Sequence, residues 1–331
     1  MKLKACFLGA IMALMAATAC KHDDAEPVAD PTTFTAQPYA SGLKLPIGMS
    51  FDGNGQAWVT ESGTGKNDAQ VSLIATDGKV YPVITGLASA VANGSVEGIG
   101  HLLYRSGTLY VLEGATGKLY VVDVSGFKAG DAPYAASSLS GEDIGTFVKA
   151  QKLTNPLNTN LYNLTVGPDN NLYITDSGAN AIIRRDAKTR QLSVFAKLPN
   201  VTASAEAVPT GIVFDGNNFL VSSLSGFPFA AGAAKIFQVT PAGVVSEYQA
   251  GYTTLTDLAL TPNNKPLALQ YAQFSLTPPT IGFTAKSGLI ADNTKASLLT
   301  GLDRPTDIER VGSRTYYVLC WGDGTLQKLT Y

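Results

Sequence analysis

The chain has 331 residues, of which 45% are hydrophobic and 15% charged, and its formal net charge is −2. That is enough apolar material for one large closed core, and the charge leaves no basic footprint for nucleic acid. The 33 glycines suit many short strands joined by tight turns, and past the leader no stretch reaches the roughly 18 apolar residues of a membrane helix.

The leader reads as a secretion signal. Lys2 and Lys4 give the basic start, Ala5 to Ala16 the apolar stretch, and Ala17-Thr18-Ala19 small residues before Cys20. Small residues directly before a cysteine resemble a bacterial lipobox, although Ala17 stands where Leu is commoner. On that reading residues 1–19 are a lipoprotein signal peptide and Cys20 is the lipidated first residue of the mature chain. The alternative is ordinary cleavage near Ala19 with Cys20 merely adjacent. Lys21-His22-Asp23-Asp24 resembles the surface-export signal of Bacteroidota lipoproteins, which implies the cell-surface side of the outer membrane. Residues 20–32 are polar, include Pro27 and Pro31, and read as a flexible tether. Loss of Lys2 and Lys4 with the leader brings the net charge to about −4. With Cys20 lipidated, Cys320 has no disulfide partner, so stability must come from burial and closure.

From residue 33 to 331 a short phrase recurs: alternating apolar residues, a Gly/Asn/Asp turn, then a second apolar run ending in a polar residue. It starts at Gly48 (GMSFDGNGQAWVTE), His101 (HLLYRSGTLYVLE), Asn163 (NLTVGPDNNLYITD), Gly211 (GIVFDGNNFLVSS), Asp257 (DLALTPNNKPLALQ) and Asp307 (DIERVGSRTYYVLC). Six copies at roughly 45–65 residue intervals predict an all-β chain folded as a six-bladed propeller. Period-two alternation marks strands, and Asp-Gly or Asn-Asn between them marks hairpins.

Further strands are expected at 71–76 and 79–85 in blade one, 118–124 in blade two, and 181–187 and 191–198 in blade three. Blade four adds 234–240 and 244–250. An insertion from about 127 to 160 follows blade two, with one short helix expected between Gly141 and Lys152. Blade five makes a Pro-rich excursion near Pro278-Pro279. Blade six is one strand short, and residues 33–43 carry an outer-strand phrase. The N-terminal strand is therefore expected to complete blade six, closing the ring and hiding sheet edges.

The run from Val208, VPTGIVFDGNNFLVSSLSGFPF, together with ITDSGANAIIRR, VTESGTG and GYTTLTDLAL, resembles the ScyD/ScyE family. The resemblance covers about residues 40–325 and implies a secreted six-bladed propeller related to NHL and gluconolactonase-like propellers. It implies no established reaction.

In a propeller the start of each first strand and the end of each second strand lie on one face near the axis. Aligning the phrases places Gly48, His101, Asn163, Gly211, Asp257 and Asp307 in one ring, with Glu61, Glu113, Asp176, Ser223, Gln270 and Cys320 in a second ring around it. Crowded carboxylates raise one another's pKa unless a cation or hydrogen bonds compensate. Hard oxygen ligands suit Ca²⁺ or another divalent cation, with Asn163, Asp257 and Asp307 as the metal candidates, joined by Glu113 and Asp176. Gluconolactonase-like propellers have a Glu/Asn/Asp metal site in this region. The competing reading is that the carboxylates accept N–H bonds from adjoining turns and clasp the blades. His101 is the candidate general base, against a role as hydrogen-bonded pore lining. Cys320 reads as a small buried hydrophobe. Phe227 and Phe229, in the loop after blade four's second strand, and Trp321 would overhang the mouth as a platform for a planar or sugar-like ligand; alternatively the phenylalanines anchor their loop.

Three functions follow from this reading. The first is a lipid-anchored propeller, expected to be monomeric, that binds a metal, small molecule or protein partner at an acidic mouth. The second is a metal-dependent hydrolase or lactonase in which a cation polarises a carbonyl and activates water. The third is a purely structural propeller.

Overall fold

A computed structural model describes residues 28–92, 94–279 and 281–331. The signal peptide, Cys20 and most of the expected tether lie outside the described residues. Among the described residues no helix is long and apolar enough to cross a membrane.

Six small antiparallel sheets follow one another round a common axis, and all six phrases supply the two inner strands of a blade. Blade one pairs Pro46–Phe51 with Ala57–Glu61, then Ala69–Ile74 and Val80–Leu87. Blades three and four each run as four consecutive strands, Leu161–Val166 to Leu192–Lys197 and Pro209–Phe214 to Val245–Tyr252. Blade six has Pro305–Arg310, Thr315–Cys320 and Thr325–Thr330, and Thr35–Ala40 completes it by pairing along Thr325–Thr330. The ring is thus closed by the N-terminal strand, as the sequence predicts.

The insertion after blade two differs from expectation. Its helix is shorter, Gly145–Ala150, and the residues just before it, Gly141–Asp143, form blade two's outer strand against Lys118–Asp123. Gly-Glu-Asp has little strand propensity of its own, so pairing rather than local preference makes it a strand. Tyr134–Ala135 adds a fifth, parallel strand to blade one. The Pro-rich excursion of blade five carries a small hairpin, Phe274–Ser275 with Gly282–Phe283, and a second small hairpin, Ala90–Ala92 with Ser95–Glu97, precedes blade two.

The core is divided in the way this architecture requires. Among the described residues six apolar clusters are present, one at each junction between neighbouring blades. Trp58 and Val71 meet Leu109 and Val111 between blades one and two, and Leu267 and Ile290 meet Tyr316 and Val318 between blades five and six. The remaining four clusters occupy the other four junctions. Alternate residues of each strand therefore pack against opposite neighbours, which explains the period-two pattern on both faces.

The two faces of the ring differ. One carries the tight turns within each phrase, such as Asp52–Gln56, and the entry of the chain, where Asn263 donates to Asp30 Oδ1 (2.9 Å) and Tyr331 Oη donates to Ala29 O (3.0 Å). The other carries the longer loops, including both small hairpins and the end of the insertion. We refer to these as the turn face and the loop face.

Candidate functional site

Beyond its first residues, each inner strand slips register against its neighbour in five of the six blades. The slips fall between Pro46 and Met49, Leu161 and Asn163, Pro209 and Ile212, Leu255 and Asp257, and Pro305 and Asp307. A bulge of this kind leaves a residue unpaired and re-aims its side chain. Here it leaves inner-strand N–H groups needing acceptors near the axis.

Neighbouring blades supply them. Asp257 Oδ2 accepts the Ile308 N–H of the next blade (3.0 Å), and Asp307 Oδ2 accepts the Met49 N–H of the blade after that (2.6 Å). Hydroxyls and one backbone N–H complete the circle. Thr60 donates to Gly100 O (2.8 Å), His101 N to Tyr162 O (2.7 Å), Thr175 to Thr210 O (2.7 Å), Thr210 to Leu255 O (2.9 Å), Thr256 to Pro305 O (2.9 Å) and Thr306 to Pro46 O (3.1 Å). Every blade junction is therefore bridged by at least one buried hydrogen bond at the axis.

His101, Asn163, Asp257 and Asp307 converge in this region, but not at the expected mouth. They line a cavity of about 290 Å³ that runs along the axis toward the turn face, with Glu309 and Arg310 nearer its opening. Asn163 Nδ2 donates to Asp257 Oδ1 (3.0 Å), and Asn163 Oδ1 accepts the Leu164 N–H (2.6 Å). His101 Nδ1 lies 3.1 Å from Asp307 Oδ2, while His101 Nε2 is buried without a hydrogen-bond partner among the described residues. Gly48 and Gly211 keep their places in the ring by having no side chain. A Cβ on Gly48 would lie 2.5 Å from the His101 Cα, and one on Gly211 would lie 2.5 Å from Asp257 Oδ1.

Burial sets the protonation of this group. It pushes the His101 imidazole down to about 4, against a pull from Asp257, so the ring is neutral at pH 7. It pushes Asp307 up to about 7 and, with Asp307 beside it, Asp257 well above the usual carboxylate range. A neutral His101 donating Nδ1–H to Asp307 satisfies both. The oxygens of the expected metal trio do not fit a cation. Asn163 turns its amide N–H₂ toward Asp257, each aspartate accepts a backbone N–H, and among the described residues no group of three or more His, Cys, Asp or Glu side chains is placed to hold a metal ion.

The second ring is not a ring of channel-facing groups. Glu61 accepts from the Lys44 N–H (2.6 Å), Gln70 Nε2 (2.8 Å) and the Ser72 hydroxyl (2.5 Å). Glu113 accepts from the Ala88 N–H (2.7 Å) and the Thr116 hydroxyl, and Asp176 from the Asn160 and Ala179 N–H groups (2.8 and 2.9 Å) and the Thr159 hydroxyl. Each ties the end of a second strand to the loop that enters its own or the adjoining blade. For Asp176 the adjoining Ser177-Gly178 turn contributes, through the Ala179 N–H, as the clasp reading expects, whereas Glu61 draws its donors from Lys44, Gln70 and Ser72 and not from Ser62-Gly63. Ser223 bonds both backbone groups of Lys235, Gln270 sits half-buried opposite Leu255, and Cys320 is fully buried with its thiol pushed up to about 12 by burial.

The loop face has a different character. Around the axis a cavity of about 240 Å³ is walled by Ile47, Val96, Tyr162, Tyr271, Phe283 and Trp321. Tyr162 separates it from the turn-face cavity, its ring centroid 4.8 Å from that of His101. Phe227 and Phe229 stand beside it and pack edge-on against Phe274 of the blade-five hairpin, with centroids 6.1 and 5.0 Å away. Arg304 lies over the Trp321 ring at 4.8 Å. Among the described residues six large apolar side chains are more than half exposed, and five of them, Val91, Leu157, Phe227, Leu276 and Ile281, lie on loop-face segments.

Sequence reasoning missed Tyr162, Tyr271, Phe283 and Glu309. Tyr162 directly precedes a phrase start, so the mouth sits one residue earlier than the aligned polar ring. The interblade threonines also carried a signal, since Pro/Leu-Thr-Gly/Asp recurs at 209–211, 255–257 and 305–307.

The sequence matches no protein-family model and no curated protein. Solved structures resemble the fold. A virginiamycin B lyase from Staphylococcus aureus superposes with a TM-score of 0.56 at 16% identity, covering 90% of this chain and 99% of the lyase. A putative gluconolactonase gives 0.56 at 12% identity over 91% of this chain and 93% of its own. A luciferin-regenerating enzyme gives 0.58 at 9% identity over 90% and 95%. At these identities the likeness is one of architecture: this chain has a six-bladed propeller fold similar to that of these structures.

Proposed function

We propose that this protein is an extracytoplasmic binding propeller whose loop face takes a ligand with substantial apolar or aromatic surface. The observation that carries this is the aromatic-walled cavity at the axis, ringed by exposed apolar loop residues. A cavity lined by aromatic groups with a few polar atoms is the usual form of a small-molecule site, and exposed apolar residues gathered on one face mark an interaction surface. Trp321 walls this cavity, and on this reading Phe227 and Phe229, packed beside it on the blade-five hairpin, extend its platform outward. On the same proposal Cys20 anchors a monomeric protein to the outer membrane, facing outward. The ScyD/ScyE affinity is likewise proposed, on its sequence motifs alone.

A second reading, a metal-dependent lactonase-type hydrolase, draws support from the fold shared with a putative gluconolactonase. Against it stands the hydrogen bonding of Asn163, Asp257 and Asp307, whose oxygens are committed to backbone and to one another. His101, neutral and hydrogen-bonded to Asp307, is then an axial packing residue and not a base.

The test is titration with N-phenyl-1-naphthylamine, an uncharged apolar dye. Saturable binding with one site, weakened by Trp321→Ala and by Phe283→Ala, is expected. Absence of saturable binding, or binding untouched by both substitutions, refutes the reading.

A further inference from the structure

The loop face holds a second cavity. It has a volume of about 450 Å³ and is polar where the axial one is apolar. Its walls include Glu97, Asn158, Asn160 and Glu206, and Glu97 also lines the axial cavity, so the two adjoin.

The trough is built by close backbone approach. The segment Asn158–Asn160 enters between blades two and three. A Cβ on Gly114 would lie 2.2 Å from Asn160 Oδ1, and one on Gly178 would lie 2.8 Å from the Thr159 carbonyl carbon. These glycines of blades two and three are thus what allow the asparagines to sit where they do. The backbone of Asn160 is fixed on both sides, its N–H by Asp176 Oδ1 (2.8 Å) and its C=O by the Ser177 N–H (2.8 Å). Asn158 and Asn160 remain exposed, so fixed backbone carries exposed amide groups.

The donor set selects a ligand class. Amide N–H₂ groups donate and carboxylates accept, which matches the alternating hydroxyls of a sugar. Two carboxylates disfavour phosphate, sulfate or a carboxylated ligand. The adjoining cavity, walled by Tyr162, Tyr271, Phe283 and Trp321, suits an apolar substituent.

We infer that the two cavities form one bipartite site for an uncharged sugar bearing an apolar or aromatic substituent, with the sugar in the trough and the substituent in the axial cavity. This rests on the proposed loop-face binding function and extends it to a second, polar half.

The experiment measures affinities of phenol, of methyl and phenyl β-glycosides of glucose, galactose and N-acetylglucosamine, and of phenyl phosphate, by calorimetry and saturation-transfer NMR. At least one phenyl glycoside is expected to bind about tenfold more tightly than phenol, the worth of one or two extra hydrogen bonds. Glu206→Ala and Asn160→Ala, which touch only the trough, should each reduce that gain to about threefold or less while leaving phenol unchanged. Phenyl phosphate should show no gain. If phenol binds but no phenyl glycoside exceeds it, or if the gain survives both substitutions, the bipartite site is overturned while the apolar cavity stands. If phenol fails to bind and a methyl glycoside binds with sensitivity to Asn160→Ala, the apolar half is overturned instead.

Discussion

Asp307→Ala tests the axial hydrogen bonding most directly. Asp307 Oδ2 accepts from the Met49 N–H at 2.6 Å and lies 3.1 Å from His101 Nδ1, and all three residues are buried. Removing the acceptor leaves two buried donors unpaired, each costing about 1–3 kcal/mol, so the substitution should destabilise the protein by about 2–6 kcal/mol. Asp307→Asn keeps an oxygen for the Met49 N–H and should cost less than half as much. Urea denaturation followed by tryptophan fluorescence at pH 7 gives both values. A loss below about 1 kcal/mol for Asp307→Ala would show that the blades do not depend on this contact, and the account of the axis would be wrong. The pH dependence provides a second reading of the same group. Asp307 is raised from 3.8 to about 7, so the folded state holds a proton that the unfolded chain has released, and this contribution declines as pH rises through that window. His101 is lowered from 6.5 to about 4, which acts in the opposite direction and is complete above about 6.5. Stability should therefore fall between pH 6.5 and 8 in the parent, where the carboxyl contributions of Asp307, Asp257 and Glu309 stand unopposed, and fall less in Asp307→Asn.

Three further outcomes are expected. Gly211→Ala places a methyl 2.5 Å from Asp257 Oδ1 and should cost about 1–3 kcal/mol through forced displacement, measured by the same denaturation; a neutral result would show the axis to be loosely packed. Calcium followed by chelator should leave the melting temperature unchanged, whereas a cation present at a hundredfold its dissociation constant would add about 2.7 kcal/mol and reinstate the metal reading. In a chain starting at Val28, Cys320 should resist a thiol reagent at pH 8 until urea unfolds the protein, because the buried thiol is held up near 12; rapid native reaction would contradict its burial.

The blades were legible because each phrase writes its own local structure. Met49, Phe51, Ala57 and Val59 alternate round a Gly/Asn turn, and such a pattern has few other ways to be buried. Ring closure was legible too, since blade six lacked a strand and residues 33–43 offered one. What could not be read was the direction in which Asn163, Asp257 and Asp307 face. That depends on a one-residue slip in pairing, and a slip of this kind turns a side chain to another environment without changing composition. The clasping partners of Glu61 and Asp176 were hidden for a related reason. Their donors, Lys44 and Asn160, are backbone N–H groups whose positions only the folded loops define. Gly141–Asp143 became a strand through a neighbour's vacant edge, and nothing in Gly-Glu-Asp announces one.

Thr35–Ala40 has a mechanical consequence. It is an edge strand held by a single neighbour, Thr325–Thr330, through an antiparallel ladder from Thr35–Thr330 to Ala40–Leu326. The chain before it is tied to blade five, where the Phe34 N–H donates to Leu298 O (3.0 Å) and Asn263 Nδ2 donates to Asp30 Oδ1 (2.9 Å), so a pull on the N-terminal side is borne first by these contacts and only then by the ladder. The same seam joins Thr35–Ala40 to Thr325–Thr330, so the ring of blades closes only when two strands far apart in sequence have met.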